Sequence, residues 1–91
     1  SMSVEIQRRI AEVMRRHKAN VDKPLPIKIT VNPIVLERLR SEDEAILVEM
    51  EEKYHGHLTF VAAQSIHVEE FIISRTDSGE ELFSNIEKKN S

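Results

Sequence analysis

Cysteine and tryptophan are both absent from these 91 residues, and glycine occurs only twice. Without thiols the chain has neither a disulfide framework nor a thiolate zinc site, a composition compatible with a reducing cytoplasm. Two glycines leave no Gly-rich phosphate loop, and no Gly-x-Ser-x-Gly elbow occurs. Aromatics are scarce, so Ile, Leu, Val and Met must build whatever core exists. No apolar run approaches the roughly 20 residues of a membrane span, and the N-terminus lacks the basic start and apolar core of a signal peptide. A net charge of −3, with 32% charged residues, does not describe a strongly basic nucleic-acid binder.

What remains is patterned apolar sequence for one domain, since domains usually need about 50 to 200 residues. Residues 4–18 place Ile6, Ile10, Val13, Met14 and His17 on one stripe at steps of three and four, which predicts a helix. Ser3 is its expected N-cap, and Lys18 suits the C-terminal end of the dipole. Pro24 and Pro26 stop that helix. Ile27, Ile29 and Val31 then alternate with polar residues, the period of a strand with one buried face. Asn32-Pro33 switches strand to helix: the Asn side chain caps, and a proline at the first helical position loses no needed hydrogen bond. Ile34, Val35, Leu36 and Leu39 supply the apolar side of this helix. Ser41 and Glu44 are spaced as a capping box opening a second one, with Ile46, Leu47, Met50 and Tyr54 as its stripe and Gly56 as its end.

Leu58, Phe60 and Ala62 alternate in a second strand. The short Ala63-Gln64-Ser65 connection predicts a hairpin to an antiparallel third strand. In that third run Ile66 and Val68 have one parity, Phe71 and Ile73 the other, so a bulge or break is expected near Glu69-Glu70. Beyond Arg75, Ser78 and Glu81 form another capping-box pattern before Leu82, Phe83 and Ile86, predicting a short terminal helix docked on the sheet, with a disordered tail as the alternative. The fold class is therefore α+β: an N-terminal helix, then strand-helix-helix-strand-strand, with a small, mainly three-stranded sheet packed on helices. Residues 3–74 form the single domain and 75–91 the tail or docked helix. Ser1-Met2 reads as a scar of tag cleavage.

The residues that invite chemistry are few. His55 and His57 flank Gly56, and His67 in the expected neighbouring strand raises a three-imidazole zinc site, but no fourth ligand or supporting carboxylate is evident. The acids of Glu42-Asp43-Glu44 and Glu51-Glu52 sit at helix starts or exteriors, where they stabilise the helix or face water. No catalytic residue and no metal ligand is assigned. Charge is uneven along the chain, with six Lys/Arg against three Asp/Glu in residues 1–23 and three against seven in residues 37–55. Arg8, Arg9, Arg15 and Arg16 are the candidates for RNA contact, against the plainer reading of a solvated helix face. The strand-helix-helix-strand-strand order is also that of the K-homology core, which clamps single strands with a Gly-x-x-Gly loop between its helices. Here that joint reads Leu39-Arg40-Ser41-Glu42-Asp43, without glycine. A stand-alone RNA-binding module of that topology, lacking the clamp, is the alternative reading.

Three runs carry a stronger likeness: VEIQRRIAEVMRRHK, IKITVNPIVLERL, and ILVEMEEKYHGHLTFVAAQSIHVEEFII with its Ile66-His67-Val68-Glu69-Glu70-Phe71 ending. Over about residues 4–74 the chain resembles the C-terminal small domain of the ribonuclease E/G family. Two features depart from that pattern: Ala63-Gln64 replaces an Asp-Pro type turn, and residues 75–91 have no counterpart. The resemblance implies a cytoplasmic endoribonuclease acting on single-stranded RNA, in ribosomal RNA maturation and messenger RNA decay. It implies magnesium held by aspartates of a separate DNase-I-like domain, and zinc at a Cys-x-x-Cys link just upstream. Neither cofactor falls to residues of this chain, whose own part is that of a non-catalytic assembly element. The implied partners are the upstream catalytic region, other copies in a homo-oligomer, and RNA through the parent. Leu82, Phe83 and Ile86 are the candidates for self-association.

Overall fold

The structure, a computed structural model, describes residues 2–53 and 57–86. Along the chain run α1 (Met2–Arg16), β1 (Ile27–Val31), α2 (Pro33–Glu42), α3 (Glu44–Lys53), β2 (Leu58–Ala62), β3 (Phe71–Arg75) and β4 (Glu81–Ser84). The α+β class and the helix-strand-helix-helix-strand-strand order are those expected. The sheet has four strands in the order β2-β1-β3-β4, with β1 parallel to β2 and antiparallel to β3, and β3 antiparallel to β4.

Strand periodicity puts Ile27, Ile29 and Val31 on one face of β1, and all three are fully buried. The registers place Leu58, Phe60, Phe71, Ile73 and Phe83 beside them on that face. Helix α1 adds Ile6, Ile10, Val13 and Met14; α2 adds Val35, Leu36 and Leu39; α3 adds Leu47 and Met50. All three helices thus cover the same side of the sheet. The other side carries Lys28, Thr30, Thr59, Val61, Ile72 and Ser84, none of them fully buried, a mixture that a sheet with one solvated face tolerates.

The helix ends differ from the expected caps in instructive ways. Ser3 lies inside α1, where its hydroxyl accepts a bond from Gln7 Nε2 at 3.1 Å. His17 falls just past the helix and is exposed, so it is not part of the core stripe. The end of α1 is a Schellman turn: Ala19 N–H donates to Met14 O and Lys18 N–H to Arg15 O, with Lys18 at φ +53°. Asn32 caps α2 as expected, accepting from Ile34 N–H at 2.9 Å, with Pro33 at the first helical position. Ile34 is nonetheless 56% exposed, because the cap directs it away from the sheet. No Ser41–Glu44 capping box forms. Helix α2 continues through Ser41, and Asp43 alone makes the joint: its N–H donates to Leu39 O, and its carbonyl accepts from Ile46 and Leu47. Tyr54, His55 and Gly56, expected to close α3, lie outside the described residues.

Three expectations about strands are corrected. No β2–β3 hairpin forms; β3 crosses to the far edge of β1, whose fully buried residues need neighbours on both sides. Residues 63–70 make that crossing as a loop, with Ile66 buried against the domain and its carbonyl accepting from Asn32 Nδ2 at 2.8 Å. The expected break at Glu69-Glu70 is present, since β3 starts only at Phe71. This resolves the parity conflict: Ile66 is buried from a loop, Phe71 and Ile73 from a strand. Finally, residues 81–84 are a strand, neither docked helix nor tail, and the sheet is four-stranded. Residues 76–79 make the hairpin turn, with Gly79 at φ +77°, and Ser78 Oγ serves that turn by accepting from Glu80 N–H. A register shift at Ile73/Ser74 bulges the β3–β4 pair.

Two stability measurements follow from these ends. Lys18→Gly relieves a left-handed residue with a side chain and should add about 1 kcal/mol, raising the thermal midpoint roughly 4–8 °C, whereas Lys18→Ala should not. Asn32→Ala should cost about 2 kcal/mol in urea unfolding, from the lost cap together with the unpaired Ile66 carbonyl. Asn32→Ser restores only the cap, so it should recover only part of that loss.

Candidate functional site

The four candidate arginines share the solvent side of α1 with two glutamates at helical spacing, and this decides what they can do. Arg9 Nε lies 3.1 Å from Glu5 and its Nη1 3.0 Å from Glu12; Arg16 Nη2 lies 2.8 Å from Glu12, and Arg8 reaches Glu5 at 3.7 Å. Of the four, only Arg15 has no ion pair among the described residues. Hydrogen bonding to Glu5 is the largest cause raising the Arg9 pKa above its ordinary value; burial opposes it, and the bond to Glu12 adds to the rise. Such exposed pairs add little stability, but they spend much of the positive field that phosphate recognition needs. Arg9 is engaged a second time, because its guanidinium stacks over the Phe83 ring at 4.8 Å and holds β4 to α1.

Phe83 is itself packed on Phe71, with ring centroids 5.1 Å apart. With Leu82 it lies half-buried against the core cluster. Both side chains therefore have a structural role inside the domain. Ile86, also half-buried, is not part of that cluster. The three residues expected to act together in self-association are divided between two roles.

The histidines are separated by the topology. His57 precedes β2 and His67 follows it in the loop beyond, so they stand near opposite ends of a five-residue strand, on the order of 15 Å apart. The expected hairpin, which placed His67 in a strand beside β2, does not form. His67 Nδ1 accepts from Glu69 N–H at 3.1 Å and belongs to the turn before β3. His17 is exposed at the end of α1, and His55 lies outside the described residues. Among the described residues no three His, Cys, Asp or Glu side chains are grouped so as to hold a metal. The acids at 42–44 occupy the α2–α3 joint, where Asp43 serves through its backbone. No glycine lies at that joint, so it offers no backbone clamp of the K-homology kind.

Two asparagines organise the loop that bears the ending over residues 66–71: Asn32, expected only as a helix cap, and Asn85, to which the sequence assigned no role. Asn32 holds Ile66 as described. Asn85 Oδ1 accepts from Phe71 N–H at 2.7 Å and its Nδ2 donates to Glu69 O at 2.9 Å, standing in for a strand partner where β3 begins. Only the positions of these residues next to strand ends hinted at such roles. Comparison of the chain with protein families, curated proteins and solved structures finds no match in any of the three.

Arg75 and Asp77 pair across the β3–β4 turn through two bonds of 2.9 Å. Bonding to Arg75 is the largest cause holding the Asp77 carboxyl below its ordinary 3.8. A depressed folded-state value means that this pair supports the turn above that range and ceases to as pH falls through the lowered value. NMR titration should place the Asp77 carboxyl below its ordinary value, and Arg75→Ala should return it toward that value.

Proposed function

We propose that this chain is the assembly domain of a ribonuclease E/G-like endoribonuclease and is non-catalytic by itself. The observation that carries this reading is agreement with the element order that the resemblance implies: a helix, a strand, a helix opened by a proline, a long helix and a strand. A helix, a strand, a helix opened by Pro33, a second helix, a strand and the ending over residues 66–71 occur in that order. Among the described residues, the reactive side chains named above each have a structural partner, face solvent, or stand apart from others of their kind. In this reading RNA is cut by the parent's magnesium-bearing region, in ribosomal RNA maturation and messenger RNA decay in the cytoplasm. The domain's contribution is to hold subunits together. Among the described residues no helix is long and apolar enough to cross a membrane.

The rival, a free-standing single-strand RNA binder using α1, is weakened by the glutamates interleaved with its arginines. Such a binder releases counterions at each phosphate contact and loses affinity steeply with salt.

The tests separate these readings. With magnesium and single-stranded RNA, the isolated chain should release no product; clear cleavage would overturn the non-catalytic assignment. Sedimentation should show reversible self-association, weakened by Ile86→Lys, a change that leaves the core cluster intact. A chain that stays monomeric at high concentration would remove the assembly role. Charge reversal at Arg15 and Arg16 should leave both properties unchanged, whereas a large, salt-dependent loss of RNA affinity would favour the rival.

A further inference from the structure

The two edges of the sheet are built differently. Strand β4 is guarded: it is bulged against β3, carries Glu81, follows Glu80, and is tied to α1 through Arg9 and Phe83. Those are the devices by which proteins keep an edge from pairing with a stray strand. Strand β2 has none of them. Its sequence, Leu-Thr-Phe-Val-Ala, contains no charge and no proline, and its register with β1 is unbroken over Leu58–Ala62.

The ladder to β1 also fixes which way the β2 backbone faces. Ile27 N–H donates to His57 O, and Ala63 N–H donates to Val31 O. Backbone direction alternates along a strand, so Thr59 and Val61 turn inward as well. The N–H and C=O groups of Leu58, Phe60 and Ala62 then point away from β1. Among the described residues no strand lies beyond them in the sheet, and none of the three has another backbone partner there.

Beside this edge, on the helix-covered face, runs a groove between β2 and the helices α2 and α3. One part, about 510 Å³, meets Leu36, Leu47, Val48, Leu58 and Phe60; a second, about 470 Å³, continues past Leu36 and Arg40 to Pro33 and Ala62. The groove therefore follows β2 from end to end. Val48 is 50% exposed along it. Its charged members are Glu37, Glu44 and Glu51 against Arg40, and none of these is in an ion pair among the described residues.

We propose that the β2 edge and this groove bind an extended peptide segment by strand addition, one whose groove-side positions combine apolar residues with Lys or Arg. The geometry dictates each part of that description. The outward groups of Phe60 and Ala62 pair with the backbone of an added strand in the manner of sheet augmentation. Alternate side chains of the added strand, about 7 Å apart, fall on the groove side and meet Leu36, Leu47, Val48 and Phe60. The three carboxylates favour a cationic segment over an anionic one. This inference stands independently of the ribonuclease reading.

The probe is a short capped peptide, Val-Thr-Lys-Thr-Val-Thr-Lys, whose Val and Lys share one face of the strand, titrated into the labelled protein while amide NMR signals are followed. The Leu58, Phe60 and Ala62 amides should shift and become protected from exchange. Methylating alternate backbone nitrogens of the peptide, which removes its donors and keeps its charge, should weaken binding about tenfold, equivalent to about 1.4 kcal/mol. The same peptide with Glu in place of Lys (Val–Glu) should bind more weakly than the original (Val–Lys). Ala62→Pro removes an outward donor without touching the β1 ladder, and should weaken binding with the remaining spectrum preserved. If that variant does not fold, the methylated peptide makes the same test on the unaltered chain. Absence of β2 shifts with Val–Lys, equal affinity for the methylated peptide, or equal affinity for Val–Glu would each overturn the proposal. So would β2 shifts that depend on protein concentration alone, which would make the occupant a second copy.

Discussion

Everything in this domain depends on keeping β1 dry. Ile27, Ile29 and Val31 are fully buried, and a central strand in that state needs a neighbour on each side and a helical layer over one face. Each requirement is met by a different part of the chain: β2 returns parallel through α2 and α3, β3 crosses to the other side, and α1 lies over the same face as α2 and α3. With few aromatics to fill volume, these β-branched side chains are the points on which the helices close. A methyl-scale loss here is felt directly, since deleting buried methylenes costs the transfer energy plus that of the cavity left behind. The strand's C-terminal end is secured by Asn32, which caps α2 with its oxygen and holds the Ile66 carbonyl with its nitrogen. One side chain thereby joins the start of a helix to a loop 34 residues on.

That arrangement explains which parts of the fold were legible in the sequence. Helix α1, strand β1 and the Asn32-Pro33 switch are local signals: periodicity, a cap and a proline act within a few residues of themselves. The break at Glu69-Glu70 was also local, because it followed from parity along one strand. The partner of β3 was not legible, since a short connection favours a hairpin only when no better edge is available. Here the demand of Ile29 and Val31 for a second neighbour prevails over loop length. Strand β4 was misread for a related reason. Ser78 and Glu81 match a helix start, but residues 76–79 equally match a hairpin turn. Phe83, once it pairs with Ile73 and packs on Phe71, contributes more in a strand than in a surface helix.

The candidate site was legible as residues and not as a surface. Four arginines on one helix look like a basic face in the sequence, and the glutamates that answer them are visible there too. What the sequence did not show was that Arg9 would be claimed twice, by the carboxylates of α1 and by the ring of Phe83. That double engagement makes it part of the clamp on β4, leaving Arg15 as the one freely displayed cation of the four among the described residues. The same logic divides Leu82 and Phe83 from Ile86: residues grouped by sequence spacing are separated by what each one packs against. The histidines make the point from the other side, since β2 and β3 flank β1 on opposite sides and His67 lies in the loop between them.

The asymmetry of the sheet edges bears on why so little reactive chemistry is found here. A domain of this size has enough chain for one core and few surplus residues, so a role in holding other molecules must be met by surfaces the core already creates. The guarded β4 edge shows that the chain contains the means of protecting a strand: a bulge, acidic flanks and an aromatic clamp. Leaving β2 uncharged and unbulged beside an apolar groove is therefore not explained by the fold's own stability. Each of its outward backbone groups could be blunted by one proline or lysine without disturbing β1. An edge that could so readily be closed, and with which no other described residue pairs, is better understood as a surface for binding than as an unfinished part of the fold.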